Sequence, residues 1–480
     1  MPKAQNARPT ATTRTYDLAI IGAGSAAKSA AGEARRRGKS VVMVERATPG
    51  GTCLNVGCVP SKHLLAAAAV RATAAGEKFP GIETAARPVD LAALVEDKDR
   101  FLAQLRDRDH IKGTAAAGID LLQGDASFAP ATQQERPTLI VADEHGEETR
   151  ITAERVLVAS GAQPFIPPVP GLRDVEYLTS STAMSLKEIP GSLLVVGGNA
   201  IGLEQAQLFA RLGSDVTVVE MAPRIAPFED PDISEALEKA LSGEGITFRT
   251  GANLTGVRPG ANGIVASVAV EGGALDLAAE KILIATGRRP VTRGLNLEAV
   301  AVPTGPRGEI MVDEHLRTAH PRIWAAGDVT GQHQFVYVAG AQGVAAVSNM
   351  YDGEPQPLDY TALPRVTFTS PALASVGMTA TDAAAAGMPY ETRELPLAFV
   401  PRAMIARNPD GIVKLVSDPR TGKLLGVHMV GAEAGEVITA ATYALSAGLT
   451  VQQLAGTWSP FLTMAESLRI AATMPPVVTI

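Results

Sequence analysis

Two glycine-rich turns, each set between an apolar strand and a helix, constrain this chain more than any other feature. In the first, residues 16–21 read as a buried parallel strand. Gly22-Ala23-Gly24-Ser25-Ala26-Ala27 follows as a tight turn, then a helix to Arg37. Gly38 leads into a second strand, residues 40–44, that ends on Glu45. This is a dinucleotide fingerprint in its proper context. Gly22 makes the turn, Gly24 lets the backbone approach a pyrophosphate, and the small Ala27 lets helix and strand pack closely. Glu45 stands where a carboxylate can take ribose hydroxyls.

The second turn follows residues 192–196 and reads Gly197-Gly198-Asn199-Ala200-Ile201-Gly202; a helix and a strand over 215–219 come next, ending on Glu220. Asn199 occupies the second glycine's place, and Asn tolerates left-handed backbone better than most residues. Two such units imply two dinucleotides, or one cofactor and one co-substrate. Glu220 would bond the 2′-hydroxyl of NAD and repel the 2′-phosphate of NADP, so NADH is favoured; Arg224 lies near enough to blunt the preference.

Residues 156–161 and 282–287 echo each other as apolar strands running into Gly161 and Gly287, and each is expected to close a nucleotide domain. Residues 323–328 read as a short buried strand that delivers Asp328, either to flavin ribityl hydroxyls or to a helix N-terminus. From Pro355 the texture changes. Pro364, Pro371, Pro389, Pro396 and Pro401 punctuate short strands, and helical patterns follow over 432–447 and 463–472. The expected fold is α/β. It has two Rossmann-like dinucleotide-binding domains, one from 16–160 with 290–354 and one from 161–289. An α+β dimerisation domain spans 355–480, and 1–15 form a disordered tail.

Only two cysteines occur in 480 residues, and both lie in Gly50-Gly51-Thr52-Cys53-Leu54-Asn55-Val56-Gly57-Cys58-Val59-Pro60-Ser61-Lys62. Such a pair suits redox catalysis in a reducing compartment better than stapling. A helix is expected to begin near Cys58, and helix N-termini favour a thiolate. The net charge of −7 argues against a nucleic-acid or anionic-membrane partner. No uncharged apolar run reaches the ~18 residues that would span a bilayer, and residues 1–14 lack the apolar core of a secretory signal. A cytoplasmic location is expected.

The Gly51–Lys62 segment resembles the redox motif of the class I flavoprotein pyridine nucleotide-disulfide oxidoreductases, which include glutathione reductase, dihydrolipoamide dehydrogenase and mercuric reductase. The stretches Gln334-Phe335-Val336-Tyr337-Val338-Ala339 and Pro460-Phe461-Leu462-Thr463-Met464-Ala465-Glu466, with Tyr177 in Glu176-Tyr177-Leu178-Thr179-Ser180, look most like the mercuric reductase branch. The N-terminal metal-binding domain of that branch is expected to be absent. The resemblance implies a homodimer that passes electrons from NAD(P)H to FAD and on to a Cys53–Cys58 disulfide. Cys58 would be the flavin-side thiol and Cys53 the interchange thiol. FAD would be held by Gly22, Gly24, Ala27, Glu45, Gly51, Thr52, Lys62, Gly161 and Asp328, and NAD(P)H by Gly197, Gly198, Gly202, Glu220 and Gly287. Glu204 resembles the acid that pairs with Lys62, and Tyr177 an aromatic near the dithiol.

Two departures from the family pattern bear on the substrate. Where glutathione and lipoamide reductases carry a catalytic His backed by Glu, this chain has Phe461 and Glu466. Its histidines are 63, 110, 145, 315, 320, 333 and 428, and none lies beyond 428. A thiolate leaving group therefore lacks its usual proton donor. The C-terminal cysteine pair of mercuric reductases is also missing; Met464 and Met474 are soft, but read as core or tail. The expected acceptor is Hg(II), held transiently by Cys53 and Cys58, or a similar soft, thiol-reactive species. The alternatives are a small oxidant such as hypothiocyanous acid or a quinone, and a flavin redox sensor of low turnover.

Overall fold

The computed structural model describes residues 13–76 and 78–479. The described chain divides into two compact units. One takes the residues up to Pro60 with Asp97–Phe165 and Arg288–Leu358, and the other takes Ser61–Glu96, Ile166–Gly287 and Asp359 onward.

The first unit is built around strand β1 (Thr13–Ile21). It lies parallel between β2 (Val41–Glu45) and the strand Glu148–Val158, with Leu18 beside Val41 and Ile20 beside Leu157. Asp120–Gln123 extends the sheet beyond β2. The strand Glu148–Val158 changes partner along its length: its start pairs antiparallel with Thr138–Ala142 and its end pairs parallel with Ile323–Ala325. Side chains alternate along β1. Leu18 and Ile20 meet the alanines of helix α1 (Ser25–Arg36), and Ala19 and Ile21 join Phe128, Leu297 and Val300 on the opposite face. A strand covered on both sides must be apolar on both faces, and Leu18–Ile21, the buried end of β1, is apolar at every position.

The second unit holds a five-stranded parallel sheet in the order Thr247–Arg249, Asp215–Val219, Ser192–Val196, Lys281–Ile284, Tyr177–Thr179. It also holds an antiparallel sheet that runs from Pro364–Thr367 through Ala372–Gly377, Leu424–Gly431 and Ile412–Ser417 to Glu391–Pro396, with Val478–Thr479 at its edge. A single hydrophobic cluster joins Val195, Leu203 and Phe209 of the parallel-sheet region to Leu373 and Val430 of the antiparallel sheet.

That cluster accounts for where the units depart from the expected domains. Leu64 and Ala68, with Leu91 and Val95, belong to it, and residues 61–96 fall in the second compact unit. Of the expected tail, residues 1–12 lie outside the described residues. Thr13–Thr15 are strand, because their backbone continues the ladder opposite Arg150–Thr152. The stretch Gly51–Ala75, 25 residues with an 18-residue window of mean hydropathy 1.3, is long and apolar enough by length and composition to cross a bilayer. It contains Lys62 and Arg71, and it spends Leu64 and Ala68 on the core just described.

Within the second unit, the segment after Asp215–Val219 is tied to the antiparallel sheet by buried charge. The Glu229 carboxylate accepts from Ser375 Oγ at 2.9 Å and lies 3.3 Å from Arg365 Nη2 and 3.1 Å from His428 Nδ1. Burial alone would raise the Glu229 pKa. The hydrogen bond and charge of His428, with Arg365 and Ser375, outweigh it and hold the carboxyl below its ordinary range. A carboxyl depressed in the folded state adds stability that is complete above its unfolded pKa and is lost as pH falls through the folded value. The gap in thermal midpoint between wild type and Glu229→Gln should therefore be widest above about pH 5 and should close toward about pH 3. A pH-independent gap would show that Glu229 contributes no ion pairing.

Candidate active site

The first glycine turn is built as its sequence suggests. Gly22 has φ +107°, and a Cβ there would run into the carbonyl of Ala159. Ala27 is fully buried against the sheet. The Glu45 carboxylate reaches back to accept from Ala23 N at 2.9 Å and from Ala47 N at 2.8 Å. Gly50 N donates to the Ala23 carbonyl at 3.1 Å, which brings the cysteine segment onto this turn. Gly51, at φ +64°, meets Gly24 backbone to backbone: a Cβ on Gly51 would lie 2.7 Å from Gly24 Cα.

The cysteine segment forms two helices, α2 (Gly51–Val56) and α3 (Cys58–Ala75), broken at Gly57. A Cβ at Gly57 would sit 2.9 Å from the Thr52 carbonyl oxygen, so the break needs glycine. Cys53 lies inside α2 and Cys58 opens α3; both are partly buried. Asn55 fastens the entry by donating from Nδ2 to the carbonyls of Thr48, Pro49 and Gly51, at 3.2, 3.1 and 3.0 Å.

Asp328 opens a short 3-10 turn after Ile323–Ala325. Burial raises its pKa, and Arg288 opposes the rise. Arg288 was not singled out by the sequence. Its Nη2 donates to Thr52 Oγ1 at 3.2 Å and to the Ala162 carbonyl, and its Nε lies 3.8 Å from Asp328. Burial lowers its pKa, against the pull of Asp328 and of Cys58. A buried cation thus touches Thr52 and Asp328 within electrostatic reach of Cys58. The available signal was its place directly after Gly287. Gly161 takes φ +73° with open space where a side chain would stand.

In the second unit the same device recurs. Gly197 has φ +114°, and a Cβ on Gly202 would strike the Gly197 carbonyl. Glu220 accepts from Gly198 N at 2.6 Å and from Ala222 N at 2.7 Å. Asn199 departs from its expected conformation: it is extended, at φ −110°, and its side-chain oxygen accepts from Ala200 N. The second position of the turn needs no left-handed backbone, so Asn fits for a different reason from the one expected. Arg224 donates to the carbonyls of Pro227 and Glu229. Gly287 takes φ +110° with no neighbour in Cβ reach.

Lys62 and Glu204 meet at 2.7 Å. The other Glu204 oxygen accepts from Phe368 N at 2.9 Å, and Lys62 Nζ sits 4.4 Å from the Phe368 ring centroid. Tyr177 lies on the edge strand beside Ile282 and packs against the cluster of Leu172, Leu194 and Ile282. Phe461 is 73% exposed. It precedes Leu462, a non-glycine at φ +62°. Glu466 is buried and holds this turn, accepting from Leu462 N at 3.3 Å while pairing with Arg469 at 3.0 Å.

A family model described as pyridine nucleotide-disulphide oxidoreductase matches residues 16–343, and its dimerisation-domain model matches 363–472. The chain belongs to the pyridine nucleotide-disulphide oxidoreductase family. It is 52% identical to a mercuric reductase of Streptomyces lividans, over 95% of each chain. It is 43% identical to a mercuric reductase of Bacillus cereus, over 95% of this chain and 71% of that one. Among solved structures it is similar to RclA of Escherichia coli, described as an HOCl-induced flavoprotein disulfide reductase and solved as a Cu(II) complex. That likeness has a TM-score of 0.85 and 29% identity, over 96% of this chain and 99% of that one.

This member of the family is an FAD-dependent oxidoreductase that uses NAD(P)H and carries the family's dimerisation domain. The residues present fit the two dinucleotides. At the first turn Gly22 and Gly24 carry no Cβ at the N-terminus of α1, which is how such turns receive a pyrophosphate; at the second, Asn199 stands in the glycine's place and its own Oδ1 accepts from Ala200 N. Gly51→Ala adds a Cβ against Gly24 and strains a left-handed residue by about 1–3 kcal/mol. It should therefore lower FAD retention by about tenfold or more, read as the flavin-to-protein absorbance ratio after purification. Undiminished retention would show that the Gly24–Gly51 contact is not needed.

Proposed function

We propose that the protein is a homodimeric, cytoplasmic reductase. It takes electrons from NAD(P)H through FAD to a Cys53–Cys58 disulfide, and on to Hg(II) or another soft, thiol-reactive acceptor. One observation carries this reading: the only two thiols of the sequence lie on α2 and α3, whose first residue abuts the first dinucleotide turn. The 52% identity to a mercuric reductase supports the choice of acceptor.

Bound FAD supplies the two-electron relay between nicotinamide and disulfide. Cys58 heads α3, where the helix dipole stabilises a thiolate, and the Arg288 cation adds to that field. Cys53 acts as the interchange thiol. Two thiolates are natural ligands of a soft metal, so the pair would hold Hg(II) while two electrons convert it to Hg(0). Lys62, paired with Glu204, lies one turn beyond Cys58 along α3. We assign Tyr177 to packing of the edge strand, and Glu466 to the turn that presents Phe461. Phe461 brings no proton to a leaving thiolate, which disfavours glutathione disulfide and lipoamide as substrates.

NADH oxidation should be stimulated by Hg(II) in excess small thiol and should fall by about 100-fold in Cys53→Ala. A wild-type rate no higher than background would sink the Hg(II) reading. The likeness to RclA favours a second reading, a small oxidant such as hypothiocyanous acid. The same assay with that acceptor would then give the faster rate.

We also assign the nucleotide preference to NADH. Glu220 sits at the end of its strand with a carboxylate that would repel a 2′-phosphate, and Arg224 is engaged elsewhere. Glu220→Ala should raise the NADPH-to-NADH ratio of kcat/KM by about tenfold. An unchanged ratio would mean that Glu220 does not meet the ribose.

A further inference from the structure

The antiparallel sheet carries a row of polar residues across five strands, flanked on the same face by Leu373, Val430 and Val416. Arg365 stands opposite Ser375, Ser375 opposite His428, His428 opposite Lys414, and Lys414 opposite Glu394. Directly opposed residues share one face of a sheet, so these five form a single rung. Ser375, His428 and Lys414 are buried. Buried polar groups are costly unless each finds a partner. Here the partners come from one short segment, Glu229 to Asp232.

Glu229 takes the Arg365, Ser375 and His428 end of the rung, and Asp230 and Asp232 take Lys414 at 3.1 and 2.9 Å. Asp230 also accepts from Ala380 N, Thr381 N and Thr381 Oγ1, at 3.0, 3.0 and 2.7 Å. His428 Nε2 faces the Met378 carbonyl at 2.9 Å and Nδ1 faces the Glu229 carboxylate at 3.1 Å. The ring thus bridges the Met378 carbonyl and the Glu229 carboxylate, one ring nitrogen to each.

The same segment closes on the second dinucleotide turn. Arg224 Nη2 donates to the Glu229 carbonyl, Glu229 N to the Ala226 carbonyl at 3.0 Å, and Ala226 N to the Gly198 carbonyl at 2.8 Å. Gly198 N in turn donates to Glu220. Ala226 is a non-glycine at φ +43°, a strained conformation that persists only where its surroundings impose it. An unbroken chain of contacts thus runs from the rung to the turn and to Glu220.

We propose that this rung sets the enzyme's nucleotide affinity. By gripping Glu229 and Asp230, it holds the 221–230 loop closed over the Gly198 turn and keeps Glu220 aimed at the adenosine ribose. Ser375 and His428 are then positioning residues for the nucleotide, although they lie on the dimerisation-type sheet. The inference rests on the placement of the nucleotide at this turn.

The test is calorimetric titration of NAD+ into the FAD-loaded enzyme, together with the rate of thiol appearance at saturating NADH. Ser375→Ala removes a single hydrogen bond, and His428→Gln removes the ring that bridges Glu229 and Met378. Each should weaken NAD+ binding by about fivefold, with the saturating rate unchanged. In the double variant with Glu220→Ala the losses should not add, because both act on one chain of contacts. NAD+ affinity within about twofold of wild type in Ser375→Ala, whatever happens to the thermal midpoint, would make the rung purely structural. A shift in Glu220→Ala with none in the rung variants would overturn the rung and leave the nucleotide assignment standing. No shift in Glu220→Ala would instead overturn that assignment.

Discussion

The contact between Gly24 and Gly51 is the constraint on which the redox arrangement rests. The two backbones touch without side chains, and the Gly50 N–H to Ala23 carbonyl bond locks the approach. The cysteine segment is therefore positioned by rigid main chain and not by flexible side chains. Gly57 then breaks the helix and sets Cys58 at the start of α3. A larger residue at Gly51 would displace the dithiol and the dinucleotide turn together. Cofactor cradle and thiol chemistry are one mechanical part.

A second device is used twice. At the end of the second strand of each nucleotide unit, a glutamate bridges back to the glycine turn. Glu45 joins Ala23 N to Ala47 N, and Glu220 joins Gly198 N to Ala222 N. Each carboxylate is thereby oriented before any ribose arrives, which reduces the ordering that binding would otherwise require. In the second unit the device is backed by the Arg365-Ser375-His428-Lys414 rung. There a shared hydrophobic cluster makes the nucleotide region and the antiparallel sheet one cooperative body.

Much of this was legible before the structure. The strands over 192–196 and 215–219 occupy the bounds read from their apolar runs, and the glycine turns fall between strand and helix as their spacing requires. Asn199 was placed correctly but for the wrong reason, since a local rule about left-handed backbone says nothing of a side chain capping its own helix. Arg288 was missed because its partners Thr52, Ala162 and Asp328 are remote in sequence, and its place after Gly287 is the one local sign of it. Tyr177 resembles a site residue by its local string, and the sheet order also packs it against a core that no local pattern records.

By itself the sequence determined two dinucleotide turns and one dithiol. These depend on residues a few positions apart, whose backbone geometry is set by glycine, small side chains and strand periodicity. Only the tertiary structure decided that residues 61–96 join the second unit, that Arg288 lies within reach of Cys58, and that His428 answers Glu229. Each of these is a contact between segments far apart in the chain. No local pattern records such contacts, just as none records the burial of Leu64, Leu91 and Phe209 in one cluster.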